Sequence, residues 1–299
     1  MKPPHSQTIP LQKLLILHSD YVNELQKRTP ETRGTYERTL REFMRWIRNE
    51  PEMDFSIKDV ERYKKFLLTK RKLSPVSVTM YLSSVRKFFD FLVKKGALLE
   101  NSARQVKGGG PQTRLTRKSI SVQEVQRLVQ AIERKDEIGF RDCAIVRLMV
   151  SCGLSEIELV RADIGDLKVK KEGIILALQA KGMKSKELIV SLPKEAHEAL
   201  KGYLGYRSRA RETDPLFMSA GNRTRGRRMT SRGIRERINF YLNAAGIKNG
   251  AMRKITPLSL RNTAIKMMIE QGAEMDEIKK RFRIVKDSTV KLYQNMNQQ

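Results

Sequence analysis

Apolar residues recur at helical spacing through roughly the first hundred positions. Residues 11–26 are periodic, and residues 32–47 place Tyr36, Leu40, Phe43, Met44 and Ile47 on one stripe. Arg33, Arg38, Arg41 and Arg45 fall mostly on the other side, and Pro51 breaks the run. A third helix is predicted over 56–70, with Ser56 as its cap and Asp59 where a capping box needs an acid. A fourth is predicted over 74–94. Ser74 caps it, Pro75 opens it, and Val78, Leu82, Val85, Phe89 and Leu92 line its buried face. The aromatics here sit at core spacing rather than among basic residues, so they read as core and not as platforms for stacked bases.

The pattern then changes. Between 104 and 118, five basic residues accompany Gly108, Gly109 and Gly110 without any acid. That composition cannot bury a core and predicts a flexible linker. Helical spacing returns at 122–132, capped by Ser121, and the nearly apolar stretch 140–153 predicts a buried helix. Another helix begins at Ser155. Two short runs, 173–178 and 187–192, flank a turn carrying Lys181, Lys184 and Lys186, which predicts a β-hairpin. Residues 194–206 are amphipathic. Residues 221–237 hold seven Arg and one acid, and Ile234, Ile238, Tyr241 and Leu242 give the next helix its buried stripe. In 256–293, Pro257 suits a first turn, and Leu258, Leu260, Ile265, Met268 and Ile269 keep helical spacing. Gly272 reads as the stop, 275–282 as a second short helix, and Tyr293 as the end of a basic tail.

Charge narrows the function. Lys and Arg total 60 against 33 Asp and Glu over 299 residues, a net charge of +27. The length suits two domains, each with its own core. An excess this large makes nucleic acid the economical partner, ahead of membrane or acidic protein. Arg dominates 221–237, and its planar five-donor group suits phosphates and guanine edges. No apolar run is long enough to span a bilayer, so a cytoplasmic, nucleoid-associated protein is expected. Cys143 and Cys152 share one apolar segment and read as core thiols in a reducing compartment. His5, His18 and His197 are too scattered for a metal cluster, and no cofactor is expected.

The run TPLSLRNTAIKMMIEQGAEMDEIKKRFRIVKDSTVKLY, residues 256–293, resembles the C-terminal signature of the tyrosine recombinases, or phage integrases. That signature reads T-P-H-x-L-R-H-T-x-A, then G-A-x-L-x-x-I-x-x-x-L-G-H, then a nucleophilic Tyr. Thr256, Pro257, Leu260, Arg261, Thr263, Ala264, Gly272, Ala273, Ile278 and Tyr293 match it. Its first His falls on Leu258 and its second on Ile284. Residues 141–167 resemble the family box R-D-x-A-[IL]-x-x-L-x-x-x-[TS]-G-[LM]-R-x-[SG]-E-[LIV]-x-x-L-x-x-x-D-[IL]. Arg141, Asp142, Ala144, Leu148, Gly153, Leu154, Glu158, Leu159, Asp166 and Leu167 match, and Ser155 stands at the catalytic Arg. Arg161, six residues along, lies on a different helix face. The basic turn resembles the family's hairpin, whose Lys protonates the leaving 5′-hydroxyl; that position is Lys181. In the first half, T-x-x-x-Y-x-x-x-L-x-x-F over 32–43, the S-P-x-[ST]-V run ending at Phe89, and Asn101-Ser102-Ala103 with Val106 resemble the core-binding domain.

The resemblance spans about residues 11–295 and implies a mainly α fold. A flexible tail at 1–10 would precede a SAM-like four-helix DNA-binding domain at 11–103. A basic linker at 104–118 would lead to an α+β catalytic-type domain at 119–299 with a small antiparallel sheet. The retained catalytic positions are Lys181, Arg261 and Tyr293. Candidate DNA contacts are Arg33, Arg41, Lys87, Arg104, Lys107, Arg114, Arg117, Lys118, Lys184, Lys186, Arg223, Arg225, Arg227, Arg228, Arg232 and Arg235. A serine hydroxyl cannot supply the fixed bidentate charge that clamps a phosphate. Losing one such donor costs about 3 kcal/mol, roughly 10²–10³ in rate. Leu258 and Ile284 are both apolar, as in a pocket filled rather than retuned. The expectation is therefore a sequence-specific duplex-DNA-binding protein without strand cleavage: a transcriptional regulator such as a repressor, or an accessory factor of a phage or mobile element. The alternative is a divergent, active site-specific recombinase that cleaves DNA through a 3′-phosphotyrosine. Self-association on DNA is open under either.

Overall fold

The computed structural model describes residues 8–50, 53–109, 118–171, 173–180, 183, 185–221, 223–248 and 254–295. The chain divides into two compact units, residues 1–112 and 113–299.

The first unit is built on four helices: α1 (Leu11–Glu24), α2 (Pro30–Ile47), α3 (Ile57–Thr69) and α4 (Pro75–Lys94). Their starts are set locally. The Thr29, Ser56 and Ser74 side chains each accept a hydrogen bond from the backbone three residues on, and Asp59 answers Ser56 in a full capping box. Pro30 and Pro75 occupy first-turn positions where no backbone donor is lost. The four apolar stripes meet around Leu40, Phe43, Tyr63, Leu82, Phe88, Phe89 and Leu92, all fully buried. Buried polar contacts also tie this unit together: the Thr39 and Ser84 hydroxyls meet at 2.5 Å and join α2 to α4, and the Ser102 hydroxyl donates to the Phe55 carbonyl.

The segment expected to open the linker belongs to this unit as far as Gly109. Arg86 of α4 donates from Nε to the Ala103 carbonyl at 3.0 Å and from Nη2 to that of Val106 at 2.6 Å. Val106 is buried, and the Gly109 amide donates to Thr79 Oγ1 at 2.9 Å. A Cβ on Gly109 would sit 2.2 Å from the Pro75 carbonyl oxygen. Glycine serves close approach here rather than flexibility. Arg114 and Arg117, and residues 110–117 generally, lie outside the described residues.

The second unit holds α5 (Val122–Gln130), α6 (Glu137–Cys152), α7 (Glu156–Arg161), β1 (Leu167–Lys170), β2 (Gly173–Leu178), β3 (Leu188–Ser191), α8 (Lys194–Leu204), α9 (Ser231–Ala244), α10 (Pro257–Glu270), α11 (Met275–Phe282) and α12 (Asp287–Gln294). The sheet is antiparallel in the order β1-β2-β3, with Leu167 opposite Leu176 and Ile175 opposite Ser191. Helix α6 is the centre, since most of its residues are buried, and α8 and α10 pack on it. Cys143 and Cys152 are free, buried thiols on this helix, with burial pushing both upward in pKa and Cys152 to about 11. Asp142 is a second anchor: Arg141 reaches its Oδ1 through Nε and Nη2, while Arg237 and Tyr241 of α9 reach its Oδ2 at 2.6 and 3.1 Å. The Tyr293 segment, expected as a basic tail, is a helix. Val290 and Tyr293 of α12 pack with Ala264, Ile265 and Met268 of α10 and with Ile278 and Phe282 of α11.

Candidate active site

Helix α6 ends at Gly153, whose φ of +60° turns the chain sharply and leaves its carbonyl free of the helix. Two residues on, Ser155 caps α7. The Glu158 carboxylate folds back so that its Oε2 accepts from the Ser155 amide and the Ser155 hydroxyl, both at 2.7 Å. Ser155 therefore serves the start of a helix.

Arg261, on the second turn of α10, points at the same corner. Its Nη1 donates to the Gly153 carbonyl at 2.8 Å and lies 3.3 Å from Glu158 Oε2, and its Nη2 donates to the Phe282 carbonyl. Arg283 arrives from the far side. It follows α11 in a left-handed conformation, φ +55°. Its Nη2 reaches the Gly153 carbonyl at 2.9 Å and Glu158 Oε2 at 3.0 Å, and its Nε lies 2.6 Å from Glu158 Oε1. Side-chain exposure is 3% for Glu158, 5% for Arg283 and 14% for Arg261, so the cluster is desolvated. Burial alone would push the Glu158 carboxyl up. Arg283, then Arg261, and the two Ser155 bonds outweigh it and hold the group below its usual range. Burial lowers the Arg261 pKa, with Arg283 adding to the effect and Glu158 opposing it. Guanidinium groups nonetheless stay charged, so two cations share one carboxylate.

Tyr293 stands beside this cluster. Its ring is 7% exposed and its hydroxyl donates to Asn262 Oδ1 at 3.1 Å. Asn262 neighbours Arg261 on α10, and the Arg261 charge acts on the phenol, partly offsetting the upward push that burial gives its pKa. The structure thus gathers Ser155, Arg261 and Tyr293 around the α10 N-terminal half. Leu258 is half-buried on the first turn of α10, and Ile284 packs onto the α10–α12 cluster. Lys181 lies outside the described residues. The residue before it, Ala180, accepts from Arg161 Nη1 at 3.2 Å, so Arg161 braces the hairpin. Sequence reasoning passed over Arg283. The available signal was a departure from the signature, whose Gly immediately before the second His falls on Arg283.

The candidate DNA contacts divide by what holds them. Arg223, Arg225 and Arg227 are exposed on the loop leading to α9. A cavity of about 650 Å³ beside them is lined by Arg141, Arg227, Arg228, Arg232 and Arg237. Arg232 pairs with Glu236 at 2.7 Å and Arg235 with Glu156 at 3.5 Å. Arg228 is turned inward, donating to the carbonyls of Val160 and Ala162 and pairing with Asp163 at 2.5 Å. Lys186 is likewise held between Asp163 and Asp166. In the first unit, Arg33 pairs with Glu37 at 3.6 Å, and Lys87 and Arg104 pair with Asp90 at 3.7 and 2.9 Å. Arg41 and Lys107 are exposed there, and Lys118 is exposed in the second unit, while Lys184 lies outside the described residues. Among the described residues no helix is long and apolar enough to cross a membrane, and no cluster of His, Cys, Asp or Glu could hold a metal ion.

Comparison with known proteins agrees with this architecture. A family model described as "Phage integrase family" matches residues 118–299, and one described as "Phage integrase, N-terminal SAM-like domain" matches residues 14–96. The tyrosine recombinase XerC of Thermodesulfovibrio yellowstonii is 28% identical over 289 residues, covering 93% of this chain and 91% of that protein. XerC of Escherichia coli O157:H7 is 26% identical over 291 residues, covering 94% and 93%. Among solved structures, XerH bound to a palindromic difH substrate in a post-cleavage complex superposes with a TM-score of 0.71 at 14% identity, covering 97% of this chain and 82% of that one. A lambda integrase (75-356) dimer bound to a COC′ core site gives 0.68 at 15% identity, covering 93% and 94%. The mainly α fold, with its N-terminal helical domain and small antiparallel sheet, is that of the tyrosine recombinases. With one family model covering more than half of its length and the other most of its first unit, this chain belongs to the phage integrase family.

Proposed function

We propose that the chain is a site-specific DNA recombinase that cleaves duplex DNA with Tyr293 as nucleophile. The observation that carries this reading is the placement of Arg261 and Tyr293. One turn of α10 holds the guanidinium through Gly153 and Phe282 and, at the next residue, the hydroxyl's partner Asn262. In the reaction the Tyr293 oxygen attacks phosphorus, a P–O bond to tyrosine forms, and the bond to the 5′-oxygen breaks. The phenol loses its proton to solvent, and the leaving oxygen takes one, for which Lys181 is the candidate donor. Arg261 meets the charge on the nonbridging oxygens. The similarity to XerC tyrosine recombinases along nearly the whole chain supports recombination of DNA over a purely regulatory role. Duplex DNA is the partner in this reading, and assembly of more than one copy on a site accompanies it.

A second reading has its own observation. Leu258 and Ile284 place hydrocarbon where the signature has histidines, which leaves binding without cleavage, as in a repressor or accessory factor. One experiment separates the two. The cognate site, found by selection from genomic or element DNA, carries a nick just beyond the scissile bond, so that the freed fragment diffuses away and traps the covalent form. Denaturing electrophoresis should show a slow protein–DNA species that Tyr293→Phe abolishes. Specific binding by both forms with no such species would overturn the cleavage reading and leave the regulator.

A further inference from the structure

We infer that Arg283 supplies the phosphate-clamping guanidinium missing at position 155, so that Arg261 and Arg283 together grip the scissile phosphate. The inference rests on the cleavage reading above and goes beyond it by assigning a residue.

Position 155 carries a hydroxyl that is spent on Glu158 and brings no charge. A guanidinium nevertheless stands at that corner. Arg283 Nη2 meets the Gly153 carbonyl, two residues before Ser155, and Glu158 Oε2, the atom that also holds Ser155. The Gly153 carbonyl accepts from Arg283 at 2.9 Å and from Arg261 at 2.8 Å, so one oxygen sets the two cations side by side. The backbone supports a special purpose. Arg283 holds φ +55° and ψ 42°, a region that side-chain-bearing residues avoid and where the family signature has glycine. The strained turn aims the Arg283 side chain back over the end of α6 rather than into solvent.

Charge and donor geometry point the same way. Glu158 is one anion against two cations in a desolvated cluster, which leaves one positive charge to be matched. A phosphodiester carries one negative charge. Arg283 Nη1 donates to the Arg281 carbonyl at 2.7 Å, while its Nε, 2.6 Å from Glu158 Oε1 as an ion pair, makes no aligned hydrogen bond among the described residues. Arg281, two residues earlier, is tied instead to the Ser151 carbonyl and is exposed. The residue at 283 is the one whose guanidinium enters the site. Relocation of the charge from a helix start to a turn also accounts for the paired departures: glycine is absent at 283 where arginine is absent at 155.

The test uses the nicked cognate duplex with full-length protein. Arg283→Ala should slow formation of the trapped species about 10²–10³-fold, as loss of one preorganised donor does. Arg283→Lys, which keeps charge and bulk but cannot bridge, should be slowed as well. The decisive arm replaces the scissile phosphate with an uncharged methylphosphonate. The difference between wild type and Arg283→Ala should then shrink to roughly tenfold or less, because the charge that the guanidinium neutralises is gone. A double change, Ser155→Arg with Arg283→Gly, should regain part of the rate. A fold-preserving role alone would leave the variants equally slow on both substrates, and that result overturns the assignment. Wild-type trapping with Arg283→Ala trapping equally well overturns it too while leaving the cleavage reading intact. Absence of trapping by wild type overturns both.

Discussion

Replacing Glu158 with glutamine removes one charge and almost no volume from a buried polar cluster in the second unit. The consequence follows from its contacts. Glu158 is 3% exposed and faces the guanidinium groups of Arg261 and Arg283. Breaking a buried ion pair by removing one partner costs about 3–5 kcal/mol, because the other charge is stranded. The amide oxygen of glutamine still accepts from Ser155, which favours the lower end, about 3 kcal/mol. The amide N–H groups have nowhere to donate among the guanidinium donors, so recovery beyond that is not expected. For a unit spanning residues 113–299, that loss corresponds to a fall of about 6–12 °C in Tm. The pH dependence carries a sign. The Glu158 pKa is depressed in the folded state, so its stabilisation is fully present above its ordinary 4.5 and lost as pH falls through the lower folded value. Scanning calorimetry should therefore show a constant gap between wild type and Glu158→Gln from pH 7 to 5, narrowing below about pH 4.5. A gap under about 1 kcal/mol at pH 7, or one that persists unchanged at pH 3, would refute the idea that this carboxylate holds the two cations.

Two further outcomes are expected. Gly153→Ala forces a side chain into a left-handed position, at about 1–2 kcal/mol, and brings its Cβ to 2.4 Å from the Phe282 ring. With the repacking added, urea unfolding should register about 3 kcal/mol of lost stability. Replacing Arg223, Arg225 and Arg227 together with alanine should reduce the slope of log affinity against log salt by about 3, with little change in sequence preference, if each contacts one phosphate. A salt-titrated binding series checks it, and an unchanged slope would place the DNA elsewhere.

The first unit was legible because its signals are local. Caps such as Ser56 with Asp59 and stripes such as Leu40, Phe43 and Ile47 are complete within one helix. Strand β1 was missed for the opposite reason: three of its four residues are exposed, Val169 among them, so no alternation marks it. Helix α12 buries only Val290 and Tyr293, too few apolar positions to show a period. Gly108 and Gly109 were read as flexibility, although composition does not distinguish a mobile glycine from one that lets two backbones touch. In the site, the resemblance to the signature singled out Tyr293, and the structure places its hydroxyl on Asn262, the neighbour of Arg261. Arg283 was not legible from spacing. Its direction depends on one left-handed residue, and its partners Gly153 and Glu158 lie 130 and 125 positions away.

The net charge of +27 is not all available to DNA. Arg141 and Arg237 are bound to Asp142. Lys186 and Arg228 are bound to Asp163, with Asp166 shared by Lys186, and Arg261 and Arg283 to Glu158. Around Asp142 and around Glu158 two cations share one carboxylate, so those two networks are themselves positive, while Asp163 and Asp166 balance Lys186 and Arg228. Buried or half-buried charge is screened less by salt than exposed charge. The interior excess thus adds a steady attraction beneath the exposed arginines of the α9 loop, and low-dielectric surroundings carry that potential outward. Stripping Arg223, Arg225 and Arg227 should accordingly leave residual binding, while Glu158→Gln, which adds one uncompensated charge, should strengthen attraction to DNA even as it weakens the fold. Stability and DNA attraction are opposed at this carboxylate, and Glu158 sets the balance between them.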